Sequence, residues 1–232
     1  PSEWRGSAPC GLPDMRCGRV AIQRRGQVTR AVVFGIGLIL SGCASTDKPL
    51  GPATLVPAPQ SNTGTSQIVG EAIVASLSGA AVTVRWMDAD AVGKYYAERP
   101  GLVSPWPQDI WKDSPPNIFL VRVKNQTHEE VQLDPAMSVL VAQDGNRDRP
   151  IPYEEMYMRL AETENAGPRL VSLQATLLSR FLVVHPGAQR EGFLLFPTVK
   201  PEAKHLILDL PSFFVGGRAT PGRFEFQVLR KP

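Results

Sequence analysis

The residues able to do chemistry are few and far apart. The chain has three histidines, His128, His185 and His205, and three cysteines, Cys10, Cys17 and Cys43. Nucleophilic or acid/base catalysis needs a nucleophile and a base held within hydrogen-bond reach. No histidine here stands beside a Gly-x-Ser-x-Gly elbow, and no His-x-x-x-His pair occurs. Met137, Met156 and Met158 could join a histidine as soft copper ligands. On a predicted helix Met156 and Met158, two residues apart, diverge by about 200° and cannot share a ligand face, so core filling is the better account. The expectation is a non-enzyme with no metal and no cofactor.

The segment Lys94 to Asn117 is more suggestive, with five prolines and four large aromatics, Tyr95, Tyr96, Trp106 and Trp111. It reads as a connection longer than ordinary loops. Aromatics on a proline-stiffened loop give a partner large contact area at low entropy cost, and the four are candidate partner-binding residues. The alternative is that they fold back over one end of the domain.

Cys43 has a context of its own. A basic segment, Arg24 to Arg30, precedes the apolar run Ala31 to Leu40, in the order of a secretory n-region and h-region. Ten residues rising ~1.5 Å each cover about half of a ~30 Å hydrocarbon core, which suits a cleaved signal better than a permanent span. Immediately downstream, Leu40-Ser41-Gly42-Cys43 resembles the lipobox of bacterial lipoproteins. That resemblance implies a diacylglyceryl group on the Cys43 sulfur, cleavage between Gly42 and Cys43, and attachment to a membrane through acyl chains, palmitate among them, worth ~0.8 kcal/mol per buried methylene. Ala44 rather than Asp at the next position implies delivery to the outer membrane, facing the periplasm. Residues 1 to about 19 match no part of a leader and read as an upstream extension, with initiation at Met15 or Val20.

Without the leader the charge changes sign. Six of the 25 Lys/Arg and two of the 22 Asp/Glu precede Cys43, which leaves 19 basic against 20 acidic residues. No basic stripe remains for a phosphate backbone, so nucleic acid is excluded as a partner. No cysteine follows Cys43, so neither a disulfide framework nor a Cys-ligated zinc site can form in the mature part.

These readings divide the chain into a signal peptide with its extension over 1–42, a lipidated cysteine and flexible Ser/Thr/Pro/Gly tether over 43–68, and a domain over 69–232. Period-two apolar runs predict strands at Ile73 to Leu77, Val82 to Trp86, Ile118 to Lys124, Val131 to Leu133, Ser138 to Gln143, Phe181 to Val184, Gly192 to Phe196, His205 to Leu210 and Arg223 to Leu229. Tyr153 to Glu164 and Arg169 to Arg180 carry helical spacing, with Gly167-Pro168 between them. The expected fold is mainly β, an antiparallel β-sandwich with a helical hairpin inserted near 153–180.

The run Phe119 to Thr127, then Val131 to Leu133, then Val139 to Gly145, looks like an immunoglobulin-like lipoprotein domain, as does Val184 to Gly187 with Glu191 to Pro197. What this implies is an envelope lipoprotein acting as a non-catalytic protein- or glycan-interaction module. The alternatives are a periplasmic carrier or chaperone for a small ligand or metal, and a hydrolase.

Overall fold

The computed structural model describes residues 53–61, 65–106 and 115–230. Residues 40–43 and Trp111 lie outside them. Among the described residues, fourteen strands in three antiparallel sheets, with three α-helices, make a mainly-β sandwich.

One sheet has the order β1 (Ala53–Pro57), β14 (Gly222–Arg230), β11 (His205–Leu210), β7 (Val139–Ala142), β8 (Arg147–Asp148). The second runs β10 (Gln189–Phe196), β5 (Asn117–Asn125), β4 (Ala80–Met87), β3 (Ala72–Leu77), β2 (Ser66–Val69). The third, shorter sheet is β13 (Arg218–Ala219), β12 (Phe213–Val215), β6 (Val131–Leu133), β9 (Leu182–Val184). All three contribute to one apolar core: Leu55, Leu208, Phe224 and Phe226 from the first, Val82, Val84, Phe119, Val121 and Phe196 from the second, Leu133, Val184 and Phe213 from the third.

Alternation explains why these segments are strands. Along β5, Phe119, Val121 and Val123 point into the core while Arg122 and Lys124 point out, because successive side chains of a strand leave opposite faces. Tight turns keep the register: Ser78 and Gly79 both have positive φ, 48° and 88°, between β3 and β4, the geometry that matches hairpin twist.

The helices cover the outer face of the second sheet. They are α1 (Ala89–Ala97), α2 (Tyr153–Ala161) and α3 (Ala166–Thr176). Asp88 caps α1 by accepting from the Ala91 N–H at 2.7 Å. Under them lies a second apolar core of Met87, Val92, Tyr95, Tyr96, Ile118, Met156, Leu160, Leu173, Leu177, Phe193 and Leu195.

Four expectations need correction. The tether does not extend to residue 68, because Ala53–Pro57 pairs with β14 and buries Leu55. Pro57 is tolerated there because β1 is an edge strand and a missing N–H costs no ladder bond. Lys94 to Ala97 belong to α1, not to a loop. Gly167 and Pro168 do not separate two helices but lie in the first turn of α3, where their lack of a usable intrahelical donor costs little. The second helix stops at Thr176, since Leu177 and Leu178 leave it to join the β10 edge.

Candidate functional site

The aromatics of the Lys94 to Asn117 segment turn inward. Tyr95 and Tyr96 are 8% and 4% exposed. Their rings, with that of the partly buried Trp106, pack around Phe193 at centroid distances of 4.7, 6.0 and 6.4 Å. Tyr95 and Tyr96 are therefore not surface anchors for a partner. The two tyrosine rings also pack edge-on against each other, 5.3 Å between centroids, so they and Phe193 form one cluster.

Polar contacts lock the same layer. The Thr176 hydroxyl donates to the Ser172 carbonyl at 2.7 Å, so its single proton is used and Tyr96 Oη donates to Thr176 Oγ1, also at 2.7 Å. Burial pushes the Tyr96 hydroxyl well above the ordinary tyrosine range. The Val103 N–H donates to Ser172 Oγ at 2.9 Å, holding the segment after α1 against α3.

Glu191, beside this layer on β10, is held by two arginines. Its Oε1 accepts from Arg99 at 2.8 Å and its Oε2 from Arg122 at 2.7 Å, and the Arg99 guanidinium lies 3.5 Å over the Tyr95 ring. Burial alone would raise the carboxyl, but hydrogen bonds and charge from Arg122 and Arg99 outweigh it and hold the group below the ordinary 4.5. A carboxylate saturated by two guanidinium groups is a clamp between the segment just after α1 and the sheet, not a proton acceptor waiting for substrate.

A second polar group lies on the outer face of the first sheet. Glu225 Oε1 accepts from the Ser61 hydroxyl and from the Ser61 N–H at 3.1 Å, and its Oε2 faces His205 Nε2 at 3.4 Å. Gln60 brackets the backbone of the same residue, donating to its carbonyl and accepting from its N–H, each at 3.0 Å. A hydroxyl, a carboxylate and an imidazole thus meet, but in the wrong order for nucleophilic catalysis, which needs the imidazole between the other two. Glu225 is also held low, its burial outweighed by the Ser61 hydrogen bonds and by His205, which makes it a weak base. Its structural effect is to extend the grip of β14 on the chain beyond β1. The other two histidines are elsewhere: His185 faces Glu130 at 3.1 Å in an exposed turn, and His128 is exposed.

Met156 is fully buried while Met158 is 64% exposed, the divergence their spacing demands. Among the described residues no group of three His, Cys, Asp or Glu is placed to hold a metal ion, and no helix is long and apolar enough to cross a membrane.

Among the described residues, a concavity opens beside the helical hairpin. It has a volume of about 440 Å³, within the usual range of ligand clefts. Tyr153 and Glu154 from the start of α2, Gln174 from the end of α3, and Leu178, Arg180 and Phe181 from the segment after α3 line it. That segment is held there because the chain leaving α3 docks on β10: the Leu178 N–H donates to the Phe193 carbonyl at 2.9 Å. Gly192 makes the approach possible, since a Cβ there would stand 2.7 Å from the Thr176 carbonyl oxygen and 2.9 Å from the Leu178 side chain.

No protein-family model matches the chain, and no curated protein matches it. A solved structure does. The yjhA protein from Bacillus subtilis is similar over 64% of this chain and 78% of its own, at 15% identity and a TM-score of 0.31.

Sequence reasoning missed the cleft. Arg180 and Phe181 were expected at a helix end and a strand start, and only the departure of residues 177–181 from helical geometry turns them toward Tyr153. Phe181 gave no separate signal, because it fits both the apolar spacing of the helix before it and the start of the strand expected over Phe181 to Val184.

Proposed function

We propose that the chain is a membrane-anchored lipoprotein of the cell envelope whose β-sandwich presents a non-catalytic recognition site for a protein or glycan partner. The observation that carries the recognition reading is the cleft: aromatic and long polar side chains converge on it, and it holds no histidine, cysteine or paired carboxylates. Such a lining suits reversible contact through stacking and hydrogen bonds.

The address rests on Leu40-Ser41-Gly42-Cys43 and the apolar run before it. β1 begins at Ala53, so nine residues lie between Cys43 and the first described strand, a reach of at most ~35 Å. The short tether would keep the domain close to the lipid surface, in an outer-membrane location facing the periplasm.

Expression of the full chain in a bacterial host tests the address. The wild type is expected in the detergent phase, shortened by its leader and labelled by a fatty-acid tracer. Cys43→Ala is expected unlabelled and unprocessed. Equal labelling of both, or an unshortened wild type free of lipid, would refute the anchor.

A further inference from the structure

We infer that the cleft between the start of α2 and the segment 178–181 takes a saccharide, an inference that rests on the recognition reading above and names its ligand class. The first support is the state of the polar groups. Glu154, Gln174 and Arg180 line the cleft and make no ion pair or hydrogen bond with other described residues, whereas Glu155, the neighbour of Glu154, is tied to Arg159. Carboxylate, amide and guanidinium are planar groups that can each engage two hydrogen-bonding atoms. Vicinal hydroxyls of a sugar ring present pairs of that kind, as donors to Glu154 and as acceptors from Arg180.

The second support is the pair of rings. Phe181 is 55% exposed, and Tyr153 lines the same cleft. An exposed phenyl ring in a partly polar cleft has lost no water until a ligand covers it. A pyranose is amphipathic, with C–H groups across one face and hydroxyls around its edge, so one molecule satisfies both an aromatic lip and a hydrogen-bonding base. Arg180 and Glu154 carry opposite charges, which favours a ligand without net charge over a phosphate or a carboxylate.

Peptide recognition is disfavoured by the strand edge next to the cleft. An extended peptide gains affinity by pairing its backbone with a free edge. Here the β10 edge is already occupied, by the Leu178 N–H on the Phe193 carbonyl and by the Ile151 N–H on the Leu195 carbonyl at 2.7 Å. A helical ligand needs a continuous apolar groove, and Glu154, Gln174 and Arg180 interrupt this one.

Calorimetric titration of the detergent-solubilised full chain with maltotriose and with triacetylchitotriose provides the test, alongside a neutral serine-rich decapeptide as a third probe. Saturable binding of at least one trisaccharide is expected. Phe181→Ala should weaken it about tenfold, equivalent to ~1.4 kcal/mol, Arg180→Ala by a comparable factor, and Phe181→Trp should retain it. Both residues are exposed, so thermal unfolding should be unchanged in all three variants. Binding that is indifferent to Phe181 and Arg180, or no binding of either trisaccharide at millimolar concentration, would overturn the inference. Saturation by the decapeptide alone, lost in Phe181→Ala, would also overturn the saccharide but leave the recognition reading standing. If neither sugar nor peptide binds, the recognition reading falls with it, while the lipid anchor is judged separately by Cys43→Ala.

Discussion

The two apolar cores are built on opposite faces of the same sheet and differ in how they are made. Between the sheets, strand alternation supplies nearly every contact, and residues such as Phe119, Val121 and Phe226 are buried because their neighbours in sequence point outward. Beneath the helices, burial depends on separate elements that come together: Tyr95 and Tyr96 on α1, Met156 and Leu160 on α2 and Leu173 on α3, in one cluster with Phe193. The first core needs only a pattern. The second needs a pattern, a docking geometry and polar clamps, among them Glu191 between Arg99 and Arg122 and Tyr96 on Thr176. β10 joins the two, since Leu194 faces one core and Phe193 the other.

The comparison can be broken most directly at its two phenylalanines. Phe193→Ala and Phe226→Ala each remove a fully buried ring and should cost about 3–5 kcal/mol. Because β10 serves both cores, urea unfolding followed by far-ultraviolet and near-ultraviolet circular dichroism should remain a single transition in both variants. Separate transitions for Phe193→Ala would mean that the helical layer is an independent unit.

A smaller effect is expected at Gly192. Alanine would bring its Cβ against the Thr176 carbonyl and Leu178, so the 176–178 segment must shift, at about 1–3 kcal/mol. The same shift should weaken saccharide binding, whereas a stability loss with unchanged binding would show that the cleft wall does not depend on this approach.

The smallest expected effect concerns acid. Glu191 and Glu225 have folded-state pKa values below the ordinary 4.5. The unfolded chain therefore binds protons first as pH falls, and the stabilisation present above about pH 4.5 is lost progressively below it. Asp209 is shifted the other way by burial and offsets part of this loss. Glu191→Gln should lower stability by about 1 kcal/mol at pH 7 and flatten the acid limb of a stability-against-pH curve. A variant with an unchanged acid limb would remove Glu191 from the account of how the helical layer is held.

The cores also explain which parts of the fold were legible in the sequence. Nine strand expectations match observed strands, with Val131–Leu133 and His205–Leu210 correct at both ends, because alternation over four or more residues signals a half-buried strand locally. The missed elements are those whose local signal is short or mixed. β1 lay hidden in proline-rich composition, and β8 and β13 have two residues each. α1 starts at a regular Asp88 cap, but its aromatic end runs directly into proline-rich chain, which gives a mixed local signal. Of the candidate partner residues, Tyr95 and Tyr96 proved internal, since aromatic content alone cannot say whether Phe193 is waiting beneath.

From sequence alone came the mainly-β class, the helical insertion and the near-neutral charge after Cys43, all of which depend on residues close together in the chain. Only the tertiary structure decided that the chain is gripped from Ala53 onward, that the tyrosines of α1 face a second core, and that Tyr153, Glu154, Arg180 and Phe181 share a cleft. These arrangements depend on the close approach of distant segments, such as Leu178 on Phe193 and Gln60 on Glu225. Such contacts are set by shape and hydrogen-bond geometry across the fold, and no periodicity in the chain encodes them.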